Sequence, residues 1–267
     1  MGADIKKLRN RIKSVDSTLH LTKAMGLVAS SKMRRANEGM LRAREYDEAV
    51  EKTIMSLIAS EECRQSAYMK ASQDGTRCLI VIAGDRGLAG GYNANIFRAI
   101  SEYSDAHIIP IGKRACDRFK QAPVYVETFD YISARELADT LCEQFRQGEY
   151  SEVSVAYTEY VSMMSQEAHI ARILPLKAND AAGSFGMVFE PDELTVLDAA
   201  VPEYVAGKLF GAVRESLASE IAARRCAMDS AGKNAQEMID GLQLDYNRAR
   251  QGAITQEITE IVAGSGS

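Results

Sequence analysis

Two interleaved series of apolar positions run through the first 57 residues. One follows every seventh residue from Ile5: Ile5, Ile12, Leu19, Gly26, Met33, Met40, Asp47 and Ile54. The other starts three residues later: Leu8, Val15, Thr22, Ala29, Ala36, Ala43, Val50 and Leu57. Thirteen of these sixteen carry an apolar side chain, the exceptions being Gly26, Thr22 and Asp47. A 3–4 spacing held over eight heptads predicts a coiled-coil seam. The alternative is an amphipathic helix lying on a globular core, which seldom exceeds about 25 residues. A helix over this whole span is roughly 85 Å long at about 1.5 Å per residue. Gly26, Ala29, Ala36 and Ala43 make the middle of the seam small, so a partner backbone can come close.

The expected partner is the stretch 203–262, which contains no Pro after Pro202. Its apolar positions include Val205, Leu209, Val213, Leu217, Ile221, Met228, Ala235, Met238, Leu242, Ile254, Ile258 and Ile261. Their register drifts at Arg224, Asp245 and Gly252. The reading is one helix of 55–60 residues antiparallel to the first; two helices broken near Gly232 is the alternative.

Between these stretches the period shortens toward that of strands. Residues 78–83, 107–112, 124–129, 153–160 and 168–176 read as β-strands. Helical segments 93–104, 113–121 and 133–147 alternate with them, which predicts a doubly wound, mostly parallel sheet. The fold class is therefore α/β: a long antiparallel two-helix coiled coil from the two ends of the chain, with an inserted Rossmann-like domain. The divisions are 1–60, 75–190 and 203–262, the first and last forming one discontinuous domain. Residues 58–76 and 178–190 read as polar connections.

Composition narrows the function classes. Hydrophobic content of 46% and charged content of 26% belong to a globular chain. No run of 18 apolar residues occurs, so no membrane-spanning helix is expected. An amino-terminal signal or targeting segment is likewise not expected, because the start is charged and has no apolar core. The five Cys lack CxxC spacing and are odd in number, which disfavours zinc and thioredoxin-like chemistry. The net charge of −5 is uneven: residues 1–35 hold nine basic and two acidic side chains, so the rest carries −12. A basic arm on an acidic body points to an anionic partner, either nucleic acid or an acidic protein surface.

Candidate chemistry is sparse. Residues 84–93, GDRGLAGGYN, follow a strand and precede a helix, where phosphate loops sit. They match neither GxxxxGK[ST] nor GxGxxG, so a structural turn is the better reading. His20, His107 and His169 show no metal-binding spacing. No catalytic, cofactor-binding or metal residue is assigned, and no cofactor is expected.

Several separated segments resemble one known family. Residues 12–36, IKSVDSTLHLTKAMGLVASSKMRRA, are similar to the amino-terminal helix of F-type ATP synthase γ subunits. GDRGLAGGYNAN (84–95) resembles the glycine-rich turn of that family, and 215–228 and 243–262 resemble its carboxy-terminal helix. Residues 229–234, DSAGKN, depart from the usual run, and the paired-cysteine insertion of chloroplast members is missing.

The resemblance implies a non-catalytic central stalk. The coil tip would enter the hexamer of α and β subunits; the base and the α/β domain would meet the ε subunit and the membrane c ring. Rotation would couple proton or sodium flow to the β catalytic sites. The location would be peripheral, on the cytoplasmic face of a bacterial membrane, touching the membrane only through partners. Lys23 and Met25 would lie near an acidic β loop, Arg250 and Gln251 would match the polar catch on β, and Thr255 and Gln256 would make further contacts above it. Glu190 would face the c ring or ε. Beside each stands a plainer role: Met25 packing in the coil, Arg250 and Gln256 as solvated helix residues. The competing function is a basic coiled-coil protein binding nucleic acid through residues 6–35, although Tyr46 is the first aromatic of the chain. A third is a nucleotide-binding enzyme built on the glycine turn.

Overall fold

The computed structural model describes residues 2–177 and 189–265. Five α-helices and four strands follow in the order α1 (Gly2–Ile58), β1 (Thr76–Ile82), α2 (Tyr92–Ala99), β2 (His107–Ile111), α3 (Lys113–Phe119), α4 (Tyr131–Arg146), β3 (Tyr150–Tyr160), β4 (Gln166–Leu174) and α5 (Glu193–Ser265). The residues divide into two compact units: unit 1 is Met1–Ser30 with Arg224–Ser267, and unit 2 is Ser31–Ala223.

In unit 1 the stretches of α1 and α5 pair antiparallel. Leu19 packs with Ala235 and Ile239, and Ile12 and Val15 join them. Gly26 faces Met228, and Gly232 faces Thr22 and Leu19. Rising numbers on one helix meet falling numbers on the other, which fixes the direction. All sixteen seam positions of α1 are buried or half-buried. No break occurs at Gly232, so the continuous-helix reading holds.

Unit 2 is built on a sheet of order β2-β1-β3-β4. β1 pairs parallel with β2 and β3, while β4 is antiparallel to β3. Successive residues of β1 point to opposite faces. Cys78, Ile80 and Ile82 enter one core with Ala134, Leu141 and Phe145 of α4, Ile54 and Leu57 of α1, and Leu197, Val205 and Leu209 of α5. Leu79, Val81 and Ala83 enter the other with Ile96 and Ile100 near α2 and Ala115 of α3. Covering both faces makes β1 a nearly continuous apolar run.

Three expectations need correction. Residues 124–129 form no strand. Their backbone groups are captured elsewhere: Gly112 N–H donates to Val124 O at 2.9 Å, and Val126 and Glu127 N–H donate to the Asp85 carboxylate at 3.0 and 3.1 Å. Residues 58–76 are not merely a polar connection; they include two short 3-10 turns, and Cys63, Ser66 and Tyr68 are buried. Finally, α5 begins ten residues before the expected start and takes Pro202 inside it. Asp192 caps it by accepting from Thr195 N–H at 2.8 Å. Burial of Leu197 and Val201 holds the turns before the proline. Most of 178–190 lies outside the described residues.

Candidate functional surface: the helical pair and the anchorage of the sheet

Within unit 1 the outward face of α1 is not an ordinary solvated face. Leu21, Leu27 and Val28 are 60%, 72% and 56% exposed. Lys23 beside them is exposed and Met25 is half-buried. Apolar side chains clustered outward on a coil mark a surface made to be covered. Charge is also uneven around the pair: residues 1–30 carry six basic and two acidic side chains, residues 224–267 five and six. Unit 1 is thus +3, leaving −8 of the chain's −5 to unit 2.

The pairing of Gly26 with Met228 and of Leu19 with Ala235 carries the start of α1 to the level of about residue 250 of α5. Beyond Ala253 every residue to Gly264 is exposed. Ile254, Ile258, Ile261 and Val262 recur at i, i+4, i+7 and i+8, one stripe of an uncovered helix. Arg250, Gln251, Thr255 and Gln256 lie on this stretch and are all exposed. Thr255 hydroxyl donates to Gln251 O at 3.0 Å, and Gln256 Nε2 donates to Glu260 at 2.9 Å. Lys23 and Met25 are level with about residue 230, some 30 Å along the coil at ~1.5 Å per residue. The fold therefore separates the site residues of unit 1 into two patches. Glu190, in unit 2, is exposed two residues before the Asp192 cap.

In unit 2 the glycine-rich turn serves as a clasp. Its Asp85 carboxylate accepts from three backbone N–H groups, those of Lys113, Val126 and Glu127, at 3.0–3.1 Å. Gly84 N–H donates to Asn93 at 2.9 Å, and Arg86 N–H donates to Glu220 of α5 at 3.4 Å. A Cβ at Gly84 would meet the Glu220 carboxyl at 2.8 Å, so glycine is what lets α5 approach. A buried carboxylate against the turn opposes phosphate there.

The end of β3 is tied to the same helix. Thr158 N–H donates to Ser216 Oγ at 3.2 Å, Ser219 Oγ donates to Thr158 O at 3.1 Å, and Tyr160 N–H donates to Glu215 at 2.9 Å. Arg44 of α1 donates to both Glu215 and Tyr160 O. The Glu215 carboxylate holds the Arg44 guanidinium above its ordinary range, against the pull of burial.

Asp47, the charged interruption of the seam, meets Lys208 of α5 at 2.9 Å, and Glu51 meets the same ammonium at 2.7 Å. Burial pulls the Lys208 ammonium down, but the two carboxylates outweigh it and its pKa is raised. Burial pushes the Asp47 carboxyl up although Lys208 opposes it. Sequence reasoning missed Arg44, Asp47, Lys208, Glu215 and Glu220 as a group. One signal was present: a lone Asp in an apolar seam calls for a cation on the facing helix.

Among the described residues no three His, Cys, Asp or Glu cluster to hold a metal, and no helix is long and apolar enough to cross a membrane. Burial pushes the Cys63 thiol to about 11 and those of Cys78 and Cys142 to about 12, so they are not nucleophiles at neutral pH.

The family model described as ATP synthase matches residues 4–267. The ATP synthase gamma chain of Ruminococcus albus is 42% identical over 98% of both chains. The chain belongs to the ATP synthase gamma-chain family. A relative in Acetobacterium woodii, named as the sodium ion specific gamma chain, is 36% identical over 99% of both chains. One from Mycoplasmopsis pulmonis is 38% identical over 98% of both. Among solved structures, a chain of the rotor of the Euglena gracilis mitochondrial ATP synthase superposes with a TM-score of 0.66. It covers 95% of this chain and 100% of that one at 18% identity. A chain of the Tetrahymena thermophila central stalk and c-ring structure gives 0.63, at 21% identity over 79% and 99%. At those identities the likeness speaks for the fold, including the insertion of an α/β domain between two long helices.

Proposed function

We propose that this chain is the central shaft of a rotary ATP synthase. It would transmit rotation of a membrane c ring to conformational change at nucleotide sites on surrounding α and β subunits, and would itself catalyse nothing. The observation that carries the reading is the exposed surface of unit 1: outward Leu21, Leu27 and Val28, and a last stretch of α5 that is exposed at every residue from 254 to 264. Such a surface fits a surrounding sleeve of protein. Membership of the ATP synthase gamma-chain family supports reading that sleeve as other subunits of the same complex.

The mechanism follows from asymmetry. Around the coil of unit 1, residues 1–30 present net +4 and residues 224–267 net −1, so three identical sites placed around it would each meet a different face. Charge of one sign then favours acidic loops on one site at a time and guides the coil between positions. Lys23 and Met25 would meet such a loop; Arg250, Gln251, Thr255 and Gln256 would engage the sleeve nearer the α5 end. The clasp of Gly84, Glu215 and Glu220 would hold the α/β domain to α5 while the ε subunit and c ring bear on that domain, with Glu190 among those contacts. The complex would sit peripherally on the cytoplasmic face of a bacterial membrane and carry protons or sodium ions. Nucleic-acid binding gains no support from the fold, since the α5 stretch of unit 1, with six acidic and five basic residues, adds no positive charge to the basic arm.

Co-expression with α and β subunits from the same source tests the reading. Isolation of an ATP-hydrolysing complex with one copy of this chain is expected. An active hexamer that excludes it would end the proposal.

A further inference from the structure

Strand β3 outlasts its neighbour β1. The last register pair between them is Val81 with Ala156, whereas β3 runs on to Tyr160, paired on its other side with β4. Backbone groups of alternate residues point to the same edge of a strand. Thr158 and Tyr160 therefore present theirs where β1 is missing, and side chains of two helices take all four. Thr158 N–H donates to Ser216 Oγ at 3.2 Å, and Thr158 O accepts from Ser219 Oγ at 3.1 Å. Tyr160 N–H donates to Glu215 Oε2 at 2.9 Å, and Tyr160 O accepts from Arg44 Nη2 at 3.0 Å. Arg44 Nε closes the ring on Glu215 Oε1. We propose that this splice of strand to helix is the joint through which torque passes between the α/β domain and helices α1 and α5, with Arg44 and Glu215 as its positioning residues. The inference rests on the shaft reading and adds where in the fold the load is carried.

Bond direction is the first reason. Much of the contact between this face of the sheet and α5 is apolar, with Ile80, Ile82 and Val155 in one core with Leu197, Val205 and Leu209. Apolar contacts resist separation but are non-directional, so they oppose sliding of the sheet around a helix only weakly. Hydrogen bonds weaken steeply as their angle departs from linear, so a row of them resists that motion.

Burial is the second. Thr158, Ser216, Ser219 and Glu215 are all buried. A bond that opens there leaves an unsatisfied group and not a hydrated one.

Position is the third. Arg44 of α1 and Glu215 of α5 grip the same residue of β3, so a load on the sheet reaches both helices at one level. Their bonds are charge-assisted, which makes them roughly twice as strong as neutral ones. Tyr92, at the start of α2, adds a further tie by donating to Ser216 O at 3.0 Å.

The test has two arms. In the full chain alone, hydrogen exchange reads the splice. Arg44→Met should speed exchange of the Tyr160 amide by about tenfold or more, while residues 153–156, which β1 holds, stay protected. Unchanged exchange at Tyr160 overturns the inference whatever the chain does in a complex. In the ATP synthase complex reconstituted in vesicles, ATP synthesis driven by an imposed ion gradient reads the load. Hydrolysis with the gradient collapsed by an ionophore reads unloaded turnover. The ratio of the two should fall severalfold in Arg44→Met, and less in Arg44→Lys, which keeps the charge but not the two-pronged grip. Lys208→Met is the control, because the ion pairs of Lys208 are with α1 and not with β3. It should keep the wild-type ratio. Equal falls in Arg44→Met and Lys208→Met reduce the splice to a general stabiliser and overturn the inference, as does a wild-type ratio in Arg44→Met. If Arg44→Met does not fold, Ser216→Ala takes its place in both arms, with exchange read at the Thr158 amide. A wild-type chain that joins no coupled complex ends the shaft reading and the load assignment with it; coupling that survives the variants ends the assignment alone.

Discussion

Replacing Lys208 with methionine isolates what the one charged position of the seam costs. The ammonium side chain is 22% exposed, and those of Asp47 and Glu51 are 25% and 41% exposed. At about 3 Å and an effective dielectric near 20, each ion contact is worth roughly 5 kcal/mol of attraction before desolvation is subtracted. Removing the cation leaves two carboxylates facing each other, one of them with an oxygen, Oδ1 of Asp47, that is buried and has no hydrogen bond. Breaking a buried pair from one side costs about 3–5 kcal/mol, and partial exposure trims this to about 2–3 kcal/mol. For a unit of this size the midpoint of thermal unfolding should fall by roughly 5–10 °C.

The loss should depend on pH. Asp47 already titrates above its ordinary value because of burial, and losing Lys208 raises it further. A carboxyl raised in the folded state penalises folding above its unfolded pKa, and the penalty lifts as pH falls toward the folded pKa. Lys208→Met should therefore be less destabilised at mildly acidic pH than at neutral pH. Adding Asp47→Leu restores an apolar seam and should recover most of the loss. The assay is urea unfolding followed by tyrosine near-ultraviolet circular dichroism, which suits a chain with eleven Tyr and no Trp. A loss under about 1 kcal/mol, a loss that grows on acidification, or a double variant weaker than the single one would refute the reasoning.

Three other expectations are simpler. Gly26→Ala should stabilise unit 1 by up to about 1 kcal/mol through helix propensity, because its Cβ would sit 3.7 Å from Met228 Cβ in ordinary contact; a fall in helical melting temperature would contradict this. Gly112→Ala should abolish soluble expression, since φ is +95° and a Cβ would lie 1.8 Å from Ala83 O; a folded variant with unchanged urea midpoint would contradict it. Iodoacetamide on the native chain should label Cys226 first, because Cys63, Cys78, Cys116 and Cys142 are buried; peptide mapping that finds Cys78 or Cys142 modified earlier would count against the core as described.

The seam of α1 was legible because heptad spacing is a local signal and every predicted position proved at least half-buried. The strand expected at 124–129 was illegible for the opposite reason. Its β-branched residues fit a strand, yet Asp85, some forty positions earlier, takes its N–H groups. The start of α5 was hidden by Pro202, which reads as a beginning but sits within a helix anchored by Leu197 and Val201. The candidate contacts came from resemblance; the joint of Arg44, Tyr160 and Glu215 needed three elements brought together, which no linear pattern records.

The pairing of Leu19 with Ala235 has a consequence for biosynthesis. At about 5–20 residues per second, α1 leaves the ribosome roughly ten to forty seconds before its partner exists. During that interval a long row of Ile, Leu, Val and Met side chains has nothing of its own chain to rest on. A nascent chain of this design therefore depends on holding factors, or on early partner chains, in a way that a protein of local contacts does not.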